Sequence, residues 1–485
     1  MRAKISSYIF LSLLLFIIPL SLFAQNDENI ITVEKTDTLN SNDITSLKLL
    51  SLKGMKITIN GINDSHSIIY HLKIQANKQA MRNSFGNGEL DFKKSADTGV
   101  LQFKTIETTQ ESQDNMTWIK ALLTKHHNDG NNAMIKEASL SITMPANLQL
   151  ILNSRYSNIT LSSVTSKIDI YGRSGKIIGN DLGGPLHIDN NYGDIAINNT
   201  LGPVRVTGKS TTLNLQNIGS DLTVDANYSN IHANQVKGNI NLQDKSGSVH
   251  LSNVAGNVTH RGDYTSLDLT NIKGRVDIET ESGSVNGSEL GSLRMVGNYT
   301  NVNVQNIRNE TGVNIQGKSA KYILSFVNGP VTINTSYGNI DLKNIKGDLK
   351  VDNKSGSIQA ELVKGPVTGN GDYNQYQLYN YLGNAITIKN RSGNVNIDAR
   401  KPLENVSIQN DYGDVNLTMD KPFSGKVALH SLNGSIQTNL PLTVESSEQG
   451  SQNEKILKGK IGSRNGVMNI DSNNGKITVT IHKKK

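Results

Sequence analysis

An 18-residue repeat constrains the fold of this 485-residue sequence more than any other feature. Seven consecutive 18-residue steps lead from Tyr156 to Ser282, and slightly less regular steps continue the series to Tyr412. Tyr and Ser alternate along it, with a degenerate last member: Tyr156, Ser174, Tyr192, Ser210, Tyr228, Ser246, Tyr264, Ser282, Tyr299, Ser319, Tyr337, Ser355, Tyr373, Ser392, Tyr412 and Asn433. Repetition at a fixed short period predicts a solenoid, in which each unit packs on the next.

Each repeat contains two short alternating segments and an apolar corner. After Tyr192, Ile195 and Ile197 alternate with polar residues, and Val204 and Val206 do so nine residues later. Alternation with period two predicts half-buried strands. Between the strands an apolar residue precedes a glycine, as in 254–256. We expect the apolar residue to point inward and the glycine to supply the turn.

Stacking explains why the same residue types recur at the same phase. A single unit with about five small inward side chains cannot offset the entropy of ordering its backbone, so it needs neighbours on both sides. Coiling the chain places equivalent positions about 4.8 Å apart. Strands of about five residues are also too short for a membrane barrel, which needs about 9–11. We therefore predict an all-β fold, with a single-stranded parallel β-solenoid over residues 151–440.

The alternation of Tyr and Ser leaves two possibilities open, an 18-residue coil and a 36-residue coil. The residue before Tyr is mostly Asn or Asp, whereas the residue before Ser is usually basic, with Glu281 as the exception. The 36-residue coil would stack cations about 4.8 Å apart, while the 18-residue coil interleaves them with Asn and Asp, which is favoured. The six basic residues are Arg173, Lys209, Lys245, Lys318, Lys354 and Arg391.

The two ends lack the 18-residue phase. Residues 25–150 are predicted to form a β-rich cap, since an uncovered terminal coil would expose an aggregation-prone edge. Alternating patterns predict strands at 55–59, 68–74, 100–103 and 140–142, with a turn at Asn60-Gly61. Residues 116–125, around Trp118, have the spacing of a short helix. In the C-terminal region, 441–485, we expect a polar loop at 445–455 and closing strands at 467–470 and 477–481.

Residues 1–24 have the form of a secretory signal. Arg2 and Lys4 precede an apolar run over residues 9–23, and Ala24 offers a small residue for cleavage. Pro19 interrupts the run, which is shorter than the ~20 residues that span a bilayer. An uncleaved anchor is the alternative, and no later stretch is apolar enough to cross a membrane. We expect an exported protein in the periplasm, at the cell surface or secreted.

With the repeat in place, the chain resembles an exported bacterial "putative adhesin" β-helix family. The resemblance rests on Leu140-Ser-Ile-Thr-Met-Pro145, on Leu150-Ile-Leu-Asn-Ser154, on the recurring Tyr/Ser-Gly-x-Ile/Val units and on Asp471-Ser-Asn-Asn-Gly-Lys-Ile477. It covers roughly residues 45–485. It implies a right-handed coil and a location in the cell envelope or at the surface, and it transfers no catalytic residue.

A catalytic or metal site is not expected. The chain has no cysteine, which excludes disulfides, thiolate metal sites and cysteine nucleophiles. Glycan-processing β-helices need clustered carboxylates, or a base with Arg or Lys, on one exposed face. The nearest arrangement is His232, His250 and Asp268, one repeat apart, which form either a ladder able to share a metal or a proton or three solvated side chains. We predict no enzyme activity and no cofactor.

Two surface rows are candidates for binding. The six basic residues recur about every two coils, and could meet an anionic polymer such as an acidic glycan or remain a solvated row that discourages edge pairing. The tyrosines could stack on sugars or pack as a corner ladder. A local cluster, Tyr373, Tyr376, Tyr379 and Tyr381, exceeds what the repeat requires and is the best single candidate for a contact patch.

The sequence thus predicts a non-enzymatic, adhesin-like or scaffold module of the envelope. Its expected partner is an envelope or extracellular glycan, or another anionic polymer, and no specific nucleic acid. The formal net charge of +7, reduced to +5 if Arg2 and Lys4 leave with the signal, agrees with such a partner. The alternative function is a glycan-processing β-helix enzyme, a lyase or hydrolase. The oligomeric state is left open.

Overall fold

The computed structural model describes residues 30–86, 88–104, 134–449 and 453–482. That part of the chain consists of strands and one short helix. The predicted signal at residues 1–24 and the predicted helix at residues 116–125 lie outside the described residues. In the described part, no helix has the length and apolar character needed to span a membrane.

The elements follow one another along the chain in four groups. Before the regular repeat come β1 (Ile30–Asn40), β2 (Ser46–Lys53), β3 (Lys56–Ile62), β4 (Ser67–Asn77), α1 (Lys78–Phe85), β5 (Leu90–Ser95), β6 (Thr98–Phe103) and β7 (Ile135–Pro145). The first half of the repeat contains β8 (Gln149–Arg155), β9 (Asn158–Ser162), β10 (Ile168–Tyr171), β11 (Ile177–Leu182), β12 (Leu186–Asn191), β13 (Asp194–Thr200), β14 (Val204–Lys209), β15 (Thr212–Ile218), β16 (Leu222–Asn227), β17 (Asn230–Val236) and β18 (Ile240–Val254). The second half contains β19 (Val258–Ile307), β20 (Val313–Gly317), β21 (Ser319–Val327), β22 (Val331–Ile345), β23 (Leu349–Val363), β24 (Val367–Asn370), β25 (Tyr373–Tyr381), β26 (Ala385–Ser392), β27 (Val395–Ala399), β28 (Asn405–Tyr412) and β29 (Val415–Met419). The last group is β30 (Gly425–Ser431), β31 (Ile436–Thr438), β32 (Thr443–Gln449), β33 (Lys455–Ile461), β34 (Gly466–Ser472) and β35 (Ile477–Ile481).

Successive coils pair in parallel with an 18-residue offset. Leu186 of β12 lies between Ile168 of β10 and Val204 of β14. In the same way, Ile195 of β13 lies between residues 177 and 213. The chain therefore alternates between two ladders of parallel strands and completes a coil in about 18 residues, over about 15 coils. The 18-residue solenoid is confirmed, and the 36-residue coil is wrong.

The two ladders enclose a thin apolar core. Ile195, Ile197, Val204 and Val206 are at most 1% exposed, and the corner residue Ile218 is fully buried. These are the inward positions that the alternation predicted. Because every coil contributes the same few side chains, the core runs the length of the rod and no coil is covered without its neighbours.

Two corners join the ladders. We call the corner with the Tyr and Ser series the first corner, and the corner between the two strands of one repeat the second corner. At the second corner the left-handed residue precedes the inward apolar residue, as Asn217 (φ 54°) precedes Ile218. Gly256 has no positive φ, but a Cβ added there would lie 2.4 Å from the carbonyl oxygen of Gly238 in the previous coil. The turn assigned to glycine was wrong: a left-handed residue, most often asparagine, makes it, and glycine lets successive backbones approach.

The N-terminal region extends the ladders with a different chain order. Strands β2 and β3 stack on β8 and β9, with Leu47 opposite Leu150 and Ile57 opposite Ile159. On their other side lie β6 and β7. Antiparallel pairs β1–β4, β4–β7 and β5–β6 close this end. The turn predicted at Asn60-Gly61 was wrong, because β3 continues through both residues.

The C-terminal end is also threaded out of order. Strands β34 and β35 stack directly on β28 and β29, with Ile470 opposite Ile408 and Val479 opposite Leu417. Strands β30 and β31 then cover β34 and β35 from outside. Asn474, and not the predicted Asn433, therefore bridges to Tyr412. The polar segment predicted as a loop begins inside β32, which pairs antiparallel with β33 and whose residues 443–445 are exposed.

Candidate functional site

Four of the eight tyrosines of the first corner hold a backbone conformation that is unfavourable for a bulky side chain. Tyr156, Tyr192, Tyr228 and Tyr264 have φ between 55° and 60°. The left-handed region costs a non-glycine residue about 1–2 kcal/mol, and a bulky residue there is an outlier. The corner is still regular, because the Tyr192 amide donates to the Lys209 carbonyl at 2.9 Å and thus continues the ladder. The side chain is held outward at the cost of backbone strain.

The phenol rings of this corner project into solvent. Their exposed fractions run from 37% at Tyr156 to 66% at Tyr264. All eight tyrosines of the series are exposed: Tyr156, Tyr192, Tyr228, Tyr264, Tyr299, Tyr337, Tyr373 and Tyr412. They are two coils apart, hence about 10 Å from one to the next. The exposure argues against the packed corner ladder and leaves much of the ring surface open to a ligand.

The six predicted cations line the same corner, one residue before the intervening Ser positions. All six are exposed. Lys209 pairs with Asn191 and Asn227 in the ladder, and Lys245 pairs with Asp263, so the cations are interleaved as expected. The Lys209 ammonium lies 5.7 Å from the ring centroid of Tyr228, a cation–π distance. We call these six residues and the eight tyrosines the first-corner stripe.

The cations of the stripe carry unneutralised charge. Within the described part of the chain, none of Arg173, Lys209, Lys245, Lys318, Lys354 and Arg391 forms an ion pair within 4.0 Å. Some cations elsewhere on the rod are paired, as Lys343 is with Glu361 at 2.9 Å and Arg275 with Asp277 at 2.6 Å. The stripe is therefore available to an external anion.

A groove at the N-terminal end of the stripe concentrates these features. It encloses about 930 Å³ beside the first coils of the repeat. Its basic lining residues are Lys53, Arg155, Arg173 and Lys209, and its aromatic ones are Tyr171 and Tyr192. Asp189 is the one carboxylate among the described lining residues. We call this the N-terminal groove. It offers a strongly positive cavity with two exposed rings.

Three residues of this groove were missed by the sequence analysis. Lys53 comes from β2, which joins the groove only through the stacking of β2 on β8. Arg155 directly precedes Tyr156, and most repeats have Asn or Asp at this position. A basic residue there is an exception that the sequence alone could have marked as a candidate for binding. Tyr171 lies outside the Tyr series and is 43% exposed, in edge contact with His187 at 5.7 Å.

The predicted tyrosine cluster is divided by the core. Tyr373 and Tyr379 are exposed, but Tyr376 and Tyr381 are 1% exposed. The contact patch was therefore wrong for Tyr376 and Tyr381, because strand alternation and the second corner turn both side chains inward. The Tyr381 hydroxyl donates to the Ala385 carbonyl at 2.6 Å, whereas the Tyr376 hydroxyl has no hydrogen-bond partner among the described residues. Burial raises the pKa of both phenols.

The histidine ladder exists but lies on an open face. His232, His250 and Asp268 occupy one register, as predicted. The two imidazoles stack with their centroids 4.8 Å apart, and His250 Nδ1 lies 3.0 Å from Asp268 Oδ2. Asn286 donates to the other carboxylate oxygen at 2.9 Å. The side chains of His250 and Asp268 are each 44% exposed, so the ladder stands on the outer surface of the rod.

One other cluster has the residue types of a metal centre. Ligand atoms of Asp398, Asp420 and His482 lie within 4.8 Å of one another. Arg400 occupies the middle of this cluster, 2.6 Å from Asp398 and 3.3 Å from Asp420. The guanidinium already neutralises the two carboxylates, so the cluster is an ion-pair network rather than a site built for a metal cation.

Two solved structures show a distant likeness to this chain. A "putative cell adhesion protein" from Clostridium sporogenes is 10% identical, with a TM-score of 0.17, covering 93% of this chain and 100% of its own. A "putative adhesin" from Parabacteroides merdae is 11% identical, with a TM-score of 0.18. The match covers 64% of this chain and 96% of that structure's chain. These scores are too low to support an inference about function. No curated protein matches the chain.

The repeat also matches a family model directly. The model of the family "Toastrack DUF4097" matches residues 203–375 and 367–480. Together the two matches span more than half of the 485 residues and most of the coils described above. They also include the strands that close the C-terminal end. This chain belongs to the Toastrack DUF4097 family.

Proposed function

We propose that this protein is an exported, adhesin-like module that binds an acidic glycan along the first-corner stripe. The observation that carries the proposal is the N-terminal groove, where Arg155, Arg173 and Lys209 surround the exposed rings of Tyr171 and Tyr192. Cations recognise the carboxylates or sulfates of an acidic glycan, and flat aromatic rings offer apolar faces to its sugar rings.

The backbone strain at Tyr192 supports a role in binding. The second corner needs the same left-handed conformation and meets it with asparagine in most repeats, as at Asn199 and Asn217. Asparagine tolerates this region better than a bulky side chain. An exposed tyrosine therefore lowers stability relative to asparagine and buries little apolar area in return. Strain of this kind is typical of functional positions.

The length of the stripe supports a linear ligand. Tyrosines and cations each recur every two coils, about 10 Å apart. A polymer with regularly spaced charges can contact several of them at once, and linked contacts raise the overall affinity well beyond that of a single one. Some of the residues that directly precede a Tyr or Ser of the series are acidic, among them Asp263 and Glu281. Between Arg173 and Lys245 none of these preceding residues is acidic. We place the principal contact in that N-terminal part.

The same groove argues for binding without catalysis. Glycoside hydrolysis ordinarily uses two carboxyl groups on either side of the scissile bond. Asp189 is the one carboxylate among the described lining residues, and it has no acidic partner there. The alternative function, a glycan-processing enzyme, depends on the His232, His250 and Asp268 ladder. Product formation that is lost in His250→Ala would support it.

Binding to linear uronic-acid polymers tests the proposal. Alginate and polygalacturonate serve as acidic probes, and dextran as the neutral control. We expect the double variant Arg173→Gln/Lys209→Gln to bind the acidic polymers roughly tenfold more weakly, since two exposed charge contacts are removed. Tyr192→Asn should also weaken binding while leaving the unfolding temperature unchanged or higher. Isothermal titration gives the affinities, and calorimetric unfolding gives the stability.

A matched pair of lysines provides the control. Lys343→Gln/Lys350→Gln removes the same charge from lysines that already pair with Glu361 and Asp352. This variant should bind like the wild type. Equal weakening in both double variants, or no binding of either acidic polymer by the wild type, would contradict a site in the stripe. Shortened polymer after incubation would favour the enzyme instead.

A further inference from the structure

The second corner has apolar residues at its left-handed position in one short segment. Its left-handed position is asparagine in seven coils: Asn199, Asn217, Asn253, Asn271, Asn306, Asn344 and Asn380. Phe326 and Leu362 occupy the same position with φ of 58° and 59°. These two coils flank that of Asn344, so the two bulky apolar residues stand two coils apart. Phe326 is 53% exposed. One exposed and one half-buried apolar side chain, both in strained conformations, therefore lie on one stretch of the edge.

A basic groove surrounds these two side chains. Phe326 and Leu362 line a cavity of about 520 Å³ together with Arg308, Lys346 and Lys364. Its lining contains no carboxylate among the described residues. Arg308 pairs with Glu289 from outside the groove, Lys346 donates to Asn328 at 2.7 Å, and Lys364 has no ion pair within the described ranges. The groove combines positive charge with an apolar surface.

The positive charge continues along the same edge of the rod. The residue after each inward corner residue is a cation in six coils, and all six are exposed: Lys237, Lys273, Arg308, Lys346, Lys364 and Arg400. The first four of them follow one another at intervals of about two coils, as on the first corner. This row lies at the second corner, and the first-corner stripe lies at the other corner of the coil.

We propose that this edge docks on an anionic lipid bilayer, with Phe326 and Leu362 inserted at the level of the headgroups and the lysines against lipid phosphates. Charge complementarity favours an anionic partner, and each basic residue near such a surface strengthens binding. A soluble polyanion would use the cations but gain little from two apolar residues held in strained conformations. A bilayer uses both, because its interface accepts aromatic and aliphatic side chains above a layer of negative charge.

This inference is independent of the proposed glycan function. The two surfaces share no residue and lie at different corners of the coil, so a rod docked by its second corner keeps the first-corner stripe in solvent. A failure of lipid binding would leave glycan binding untouched, and the reverse holds as well.

Vesicle flotation with the protein covering residues 25–485 tests the proposal. We expect the protein to float with vesicles of equal parts phosphatidylglycerol and phosphatidylcholine and not with phosphatidylcholine alone. Lys346→Gln/Lys364→Gln should weaken the partition roughly fivefold per lysine. Phe326→Asn/Leu362→Asn should also weaken it while preserving or raising the unfolding temperature, since asparagine is the usual residue of this position.

Matched controls separate this groove from general electrostatics. Lys343→Gln/Lys350→Gln removes two cations outside this edge that already pair with Glu361 and Asp352, and Leu201→Asn removes another exposed apolar side chain (76% exposed). Both should retain most of the partition. Equal binding by the Phe326→Asn/Leu362→Asn variant and the wild type would overturn the proposal. So would binding to soluble polygalacturonate through Lys346 and Lys364 without any binding to vesicles.

Discussion

At the scale of single residues, the tyrosines divide into two chemically different populations. Those of the first corner are open to water, whereas Tyr322, Tyr376 and Tyr381 are buried in the core. Burial raises the pKa of these three phenols, because the charged phenolate would be desolvated. Strand alternation and the position of a residue at a corner together separate the two populations.

The buried phenols make stability depend on alkaline pH. Each has a pKa above the ordinary value of 10 in the folded chain and near it in the unfolded chain. The contribution of these phenols to the free energy of unfolding is therefore complete below pH 10. It is lost as the pH rises from there towards the folded-state pKa. Tyrosinate absorbance should show that Tyr322, Tyr376 and Tyr381 ionise only when the chain unfolds. Tyr376→Phe, which removes a hydroxyl without a hydrogen-bond partner, should reduce the alkaline loss. Ionisation of all tyrosines in one step in the folded protein would contradict this.

At the scale of the strand ladder, one buried ionisable pair stands out. His260 of β19 and Asp244 of β18 are 1% and 4% exposed, and His260 Nε2 lies 2.7 Å from Asp244 Oδ1. The Thr265 hydroxyl donates to the other carboxylate oxygen at 3.1 Å. His260 stands in the register of Leu242 and Val224, so it replaces an apolar core residue. The pair links two adjacent coils beneath the first corner.

Breaking this pair from one side should be worse than replacing both partners. His260→Leu leaves Asp244 buried without its partner and should cost about 3–5 kcal/mol of stability. The double variant His260→Leu/Asp244→Asn should recover most of that loss. Leu is the residue of the adjacent coil, and Asn fills the corresponding buried position at Asn353 and Asn390. Equilibrium urea denaturation measures both variants, and a double variant as unstable as the single one would refute the coupling.

At the scale of the whole molecule, both ends are closed by strands distant in sequence. The coil of β34 and β35 lies between the coil of β28 and β29 and that of β30 and β31. At the other end, β2 and β3 cover the first repeat, although β4 to β7 separate them from it along the chain. The exposed edge that ends an ordinary solenoid is thereby covered by chain that belongs to another part of the sequence.

Removal of the inserted coil should open the rod. A chain shortened after residue 440 loses β34 and β35, so Ile408 and Leu417 lose the strands that cover them. We expect a lower unfolding temperature. We also expect aggregation that increases with protein concentration, and size-exclusion chromatography measures it. A chain shortened only by residues 483–485 should remain monodisperse to the same extent as the full chain. Equal behaviour of the two shortened chains would show that the inserted coil is dispensable.

The sequence by itself determined the coil, the inward residues, and the basic and tyrosine rows of the first corner. It could do so because the contacts of residue i in a solenoid are with i ± 18, and a fixed offset is visible in the sequence. It could not determine the N-terminal groove, where Lys53 meets Arg155 and Tyr171, or the insertion of β34 and β35. Those contacts have no fixed offset, since they depend on how the chain is threaded at the ends. Tertiary structure also decided that Tyr376 and Tyr381 are buried. The local phase of a strand and of its corner determines which side chains point into the core.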